Sequence, residues 1–110
     1  MLGEFEYLLI TAAAGLGENA YGATIREEIA ATTGRKVSIG ALYTTIDRLE
    51  GKGLLRTWMS EATPQRGGRP RRMVQVTGKG AHAAKEFYTA VMRVSHGAKW
   101  AMSQVRISHD

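Results

Sequence analysis

Helices first, then a short β-hairpin, then one more helix: the sequence predicts a mainly α fold with a small β element. Three observations carry this. Apolar residues recur at helical spacing in three separate stretches up to Leu49. Residues 54–77 switch to a period of two, interrupted by a loop rich in Gly and Pro. From Ala84 onward the spacing returns to three and four. Three short helices followed by a two-stranded hairpin is the layout of a winged helix-turn-helix. In that layout the third helix enters a DNA major groove and the hairpin, the wing, meets the neighbouring backbone or minor groove.

Each element has its own signal. Phe5, Leu8, Leu9, Ala12, Ala13 and Leu16 make an amphipathic stripe closed by Gly15 and Gly17. Tyr21, Ile25 and Ile29 make the second, with Arg26, Glu27 and Glu28 on the other side and Thr33-Gly34 as the stop. Ser38 is a suitable N-cap for the third, whose inward face is read as Ile39, Leu42, Ile46 and Leu49, closed by Gly51 and Gly53. In the first strand Leu55, Thr57 and Met59 alternate with Arg56, Trp58 and Ser60. In the second, Arg72, Val74 and Val76 share a face, and Ala62 to Pro70 form the loop between the strands. Thr77 opens a last helix read as far as Ile107. The expected division is 1–77 for the winged helix-turn-helix and 78–110 for a C-terminal dimerisation helix.

Composition narrows the function. A chain of 110 residues, 44% hydrophobic and 23% charged, holds one small core. It has no Cys, so disulfides, thiolate metal sites and thiol nucleophiles are excluded. Glu4 and Glu6 stand where a signal peptide carries positive charge. The longest apolar stretch, Tyr7 to Gly17, falls well short of the roughly 20 residues of a membrane span. A cytoplasmic location without membrane contact is the expectation. His82, His96 and His109 are dispersed, with no acid or second His at ligand spacing, so no metal is expected. No nucleophile elbow or paired-carboxylate motif stands out, and Gly78-Lys79-Gly80 lacks the spacing of a phosphate loop. Neither an enzyme nor a cofactor is expected.

The charge is uneven. Residues 1–34 carry one base against five acids, a net −4. Residues 35–72 carry nine bases against three acids, a net +6, and residues 73–110 carry five against two, a net +3. A basic middle beside an acidic start suits a polyanion docked on one face. The third helix would present Gly40, Tyr43, Thr44, Asp47 and Arg48 outward. Its entering end, Ser38, Gly40, Ala41 and Thr44, is small enough to approach base edges, and Thr and Ser can hydrogen-bond to bases or phosphates. Tyr43 puts a hydroxyl at phosphate height, and Lys36 lies just upstream of a helix N-terminus that favours phosphate. The loop run from Gln65 to Arg72 holds Arg66, Arg69, Arg71 and Arg72 with no acid, and guanidinium forks match phosphate oxygens.

In the last helix Ala84, Phe87, Val91, Val94, Ala98, Ala101 and Val105 form an a/d seam, with Tyr88, Met92 and Met102 beside it. So small a domain cannot cover all of this face, and a second copy of the same helix covers it most simply. The expected dimer contacts are that seam from Phe87 to Val105, together with Phe5. Trp100 is the candidate residue for a small ligand.

Several segments carry a family resemblance: Leu2 to Glu6; Tyr21-Gly22 with Ile25-Arg26; the continuous run from Thr33 to Glu50; and Lys52-Gly53-Leu54. Further on, Gly67-Gly68-Arg69-Pro70-Arg71-Arg72 and Val76-Thr77-Gly78-Lys79-Gly80 extend it to about residue 88. Together these segments closely resemble the PadR family of bacterial transcriptional regulators. The resemblance implies a homodimeric winged-helix protein that binds double-stranded operator DNA, usually as a repressor, and pairs through its C-terminal helix. It implies DNA contacts at Lys36, Ser38, Gly40, Tyr43, Thr44, Arg48, Arg69 and Arg71, and release by small aromatic effectors in many members. The chain departs from the family at Met73-Val74-Gln75, where aromatic residues are usual, and in its single C-terminal helix. Val91 holds the register of the tryptophan that some drug-binding members carry. The rival function is a winged-helix protein–protein adaptor without DNA binding, using the Trp58 or Phe87 surfaces.

Overall fold

The computed structural model describes residues 1–61 and 69–101. Helix α1 (Glu4–Leu16), α2 (Gly22–Thr33) and α3 (Ile39–Gly51) precede strands β1 (Leu55–Met59) and β2 (Arg72–Val76), and α4 (Gly78–Ser95) follows. The strands pair antiparallel, with Leu55 opposite Val76, Trp58 opposite Met73 and Met59 opposite Arg72. The free edge of β2 is covered where the chain enters α2. Val74 N–H donates to Ala20 O at 2.9 Å, and Tyr21 bridges Met73.

The core lies where the three helices meet the inner face of the hairpin. It is built from Leu9, Ile10 and Ala13 of α1, Ile25 and Ile29 of α2, Leu42, Ile46 and Leu49 of α3, and Leu55 and Val74 of the strands. The expected stripe on α1 is rotated. Ile10 is fully buried, while Phe5, Leu8, Ala12 and Leu16 are half-buried. Tyr21 stands ahead of α2 rather than in its core face. The buried face of α3 is Leu42, Thr45, Ile46 and Leu49, whereas Ile39, expected inside, is 57% exposed. It is the first residue of the helix, next to the exposed Ser38 cap. Thr45 can go inside because its hydroxyl donates to Ala41 O at 2.8 Å.

Both expected caps form. Ser38 Oγ accepts from Ala41 N–H at 3.1 Å, and Thr77 Oγ1 accepts from Gly80 N–H at 3.0 Å. The Gly78-Lys79-Gly80 run is explained by packing. A methyl group on Gly80 would lie 2.1 Å from Leu54 O, so only glycine lets α4 start against the turn that joins α3 to β1. Lys79 Nζ donates to Lys52 O at 3.0 Å and Thr77 Oγ1 to Gly53 O at 2.7 Å, completing the joint.

The last helix is shorter than its sequence pattern. It stops at Ser95, passes through a turn at His96 and Gly97, and resumes as a single 3-10 turn at Lys99–Ala101. Glycine weakens a helix by about 1 kcal/mol, and among the described residues nothing lies within 4 Å of where a methyl group on Gly97 would stand. Among the described residues the seam on α4 is therefore Ala84, Phe87, Val91 and Val94. Val105 and Met102 lie outside the described residues.

Candidate nucleic-acid interface

The turn between α2 and α3 is held from behind. Arg26, expected on the solvent side of α2, reaches back and donates from Nε to Val37 O at 3.0 Å. This fixes the residue before the Ser38 cap and so aims the first turn of α3. Lys36, Ser38, Gly40, Ala41, Thr44, Asp47 and Arg48 are all exposed, a continuous outer row of mostly small side chains. Arg48 lies toward the far end of that row, where its charge reaches Glu6.

Tyr43 leaves this row and leans against α2. A methyl group on Gly22 would stand 2.3 Å from Tyr43 Oη, so the glycine is what admits the ring. Its hydroxyl thus sits at the start of α2, where helix N–H groups carry partial positive charge. Arg71 arrives from the wing on the same side, its guanidinium 4.6 Å from the centre of the Tyr21 ring, a cation–π contact. Tyr21, Gly22, Ala23, Tyr43, Met59 and residues 69–72 line one open groove of about 660 Å³. Three of the expected contacts, Tyr43, Arg69 and Arg71, therefore converge. Gly40, Thr44 and Arg48 of α3, and Lys36 and Ser38 ahead of its first turn, do not line it. Arg66 lies outside the described residues.

Arg72 differs from the other described arginines of the basic run. It closes the basic run of the loop, but its side chain turns inward and is only 24% exposed. Nη1 pairs with Asp47 at 2.8 Å and Nη2 with Glu50 at 3.1 Å. Glu50 also accepts from Thr57 N–H at 3.0 Å and from Thr57 Oγ1 at 2.5 Å. These hydrogen bonds, the Thr57 hydroxyl first, hold the Glu50 carboxyl below the usual carboxylate range. The alternation expected of this strand carries the same orientation. Arg72 shares a strand face with Val74 and Val76 and so must point toward the body of the protein.

The other expected sites fall as follows. Phe5 is half-buried under the Arg35 guanidinium, 5.2 Å away. Phe87 stacks on Tyr7 of the same chain at 4.8 Å. Val91 and Val94 are 42% and 80% exposed, Ala98 is half-buried and Ala101 exposed. Trp100 is 76% exposed on the 3-10 turn. His82, expected to stand alone, pairs with Glu86 one helical turn on, both side chains being exposed. Among the described residues no helix is long and apolar enough to cross a membrane.

Known proteins share this architecture. A PadR-like transcription factor from Bacteroid fragilis superposes with a TM-score of 0.73 at 23% identity, over 89% of both chains. A PadR family transcriptional regulator from Eggerthella lenta gives 0.68 at 21% identity, over 91% of this chain and 82% of the other. A winged-helix DNA-binding protein from STIV gives 0.66 at 21% identity, over 86% and 94%. At these identities the superpositions establish the winged-helix fold. No curated protein matches the sequence. The profile of the PadR-like transcriptional regulators matches residues 14–86, from the end of α1 to the first half of α4. With two-thirds of its length matched and the fold in agreement, this chain belongs to the PadR-like family of transcriptional regulators.

Proposed function

We propose that the chain is a homodimeric, cytoplasmic, non-enzymatic repressor that reads a palindromic operator. The row Ser38, Gly40 and Thr44 reads base edges, Lys36 and Arg48 add charge along it, and Arg66, Arg69 and Arg71 hold flanking phosphates. The observation that carries this reading is the shared groove. Wing arginines, the Tyr43 hydroxyl and the start of α2 converge beside the exposed, small-residue end of α3. The exposed Val91 and Val94 of α4, with the stretch beyond it, pair two copies so that two reading helices meet one duplex. Release by a small flat aromatic compound belongs to the same reading, and the exposed Trp58 and Trp100 would report it by fluorescence.

Selection of duplexes from a random pool by the purified protein tests this directly. The expected product is a palindrome with half-sites about one helical turn apart. Thr44→Ala should change which sequence is preferred, while Arg69→Ala and Arg71→Ala should weaken all sequences alike. Enrichment of no sequence, with retention of a protein partner at high salt, would favour the adaptor function instead.

A further inference from the structure

Two adjacent arginines of the wing face opposite ways. Arg71 points outward over Tyr21, and Arg72 points inward to α3. The Arg72 fork spends its donors within the protein, on Asp47, on Glu50 and, through Nε at 3.3 Å, on Thr57 Oγ1. A guanidinium facing two carboxylates has little charge left for a phosphate. Asp47, at the other end of the contact, stands on the outer row of α3 with Gly40 and Thr44, and its side chain is 66% exposed. The ion pairs therefore join the wing strand to the reading row itself, and Glu50 ties β1 into the same knot.

We infer that Arg72 is a positioning residue, a latch that holds the wing at a set distance from α3 so that both reach one duplex together. The inference rests on the DNA-binding reading above and adds how its two halves are kept in register. The planar fork suits the task because it meets two carboxylates at once, which an ammonium group does with less directional constraint.

The test uses the labelled duplex most enriched from a random pool by the wild-type protein, titrated at several salt concentrations. Arg72→Gln is expected to weaken binding roughly tenfold, the scale of a lost hydrogen-bonded charge pair, with the salt slope unchanged. Arg71→Gln, in contrast, should lower the slope by about 0.9 per protomer. Asp47→Asn should also weaken binding, although it removes an acid from the DNA-facing row. In the Arg72→Gln background it should weaken binding no further, because both changes open the same latch. Asp47 is exposed, so this variant keeps the test open even if Arg72→Gln fails to fold. The latch is overturned if Asp47→Asn tightens binding and Arg72→Gln lowers the slope as Arg71→Gln does, which makes Arg72 a phosphate ligand. It is equally overturned if both variants bind like wild type. A wild-type protein that binds no duplex overturns the DNA-binding reading itself.

Discussion

A methyl group has opposite consequences at Gly22 and at Gly40. At Gly22 it meets Tyr43 Oη at 2.3 Å and Cζ at 2.8 Å, while at Gly40 nothing lies within 4 Å. Gly22→Ala should cost about 1–3 kcal/mol in urea denaturation, because the ring must leave its seat. Gly40→Ala should stabilise the helix by about 0.5–1 kcal/mol yet weaken operator binding, since the added methyl lies on the reading surface. Two carboxylates make acid sensitivity a residue-scale property. Glu6 is held below the usual value near 4.5 chiefly by the Gly3 N–H at 2.8 Å, with Lys52 and Arg48 adding to it, and Glu50 by Thr57 and Arg72. A carboxyl depressed in the folded state stabilises fully above its unfolded pKa and loses that contribution as pH falls through the folded value. The urea midpoint should therefore fall below about pH 4.5, and less steeply in Glu6→Gln than in wild type. The Gly3–Glu6 hydrogen bond is a local relation three residues apart, but the charged partners of the two carboxylates could not be read from spacing. Their partners Lys52 and Arg72 lie 46 and 22 residues away, and only the fold brings them together.

Among the elements, local chemistry set the boundaries well and the inward faces less well. Ser38 and Thr77 were legible as caps because a side-chain oxygen three residues before a free N–H is a local relation. Ser38→Ala should cost about 1 kcal/mol in chemical denaturation, with the loss concentrated in hydrogen-exchange protection at the start of α3. The alternation of the hairpin was legible too, since Leu55 and Val74 are buried while Arg56 and Trp58 stack together on the outer face. The phase of α3 was not. Ile39 and Thr45 compete for the inner face, and hydropathy favours the isoleucine. The choice fell to Thr45 because it is the position opposite the other helices. The end of α4 was missed for a related reason. Its apolar period continues past Gly97, but periodicity gives no weight to the single glycine at which the helix gives way to a turn.

The whole molecule is more extended than its length requires. Its radius of gyration is 16.5 Å, against about 13 Å for a compact chain of this size. The first half of α4 is joined to the body through Gly80, Lys79 and the Tyr7–Phe87 stack, whereas Tyr88, Val91, Met92 and Val94 remain exposed. That distribution supports pairing through the second half of α4, with Phe87 spent inside the protomer. Val91→Glu should leave the winged-helix body folded and shift the protein toward monomer in sedimentation equilibrium.

The central claim is that the outer row of α3 and the wing arginines grip the same double strand. Its most direct measurement is the affinity for duplex DNA as a function of salt. A dimer that neutralises about six phosphates gives a plot of log K against log salt with a slope near −5, reduced in Arg69→Ala and Arg71→Ala. A slope close to zero, or wing variants that bind as tightly and with the same slope as wild type, would contradict it.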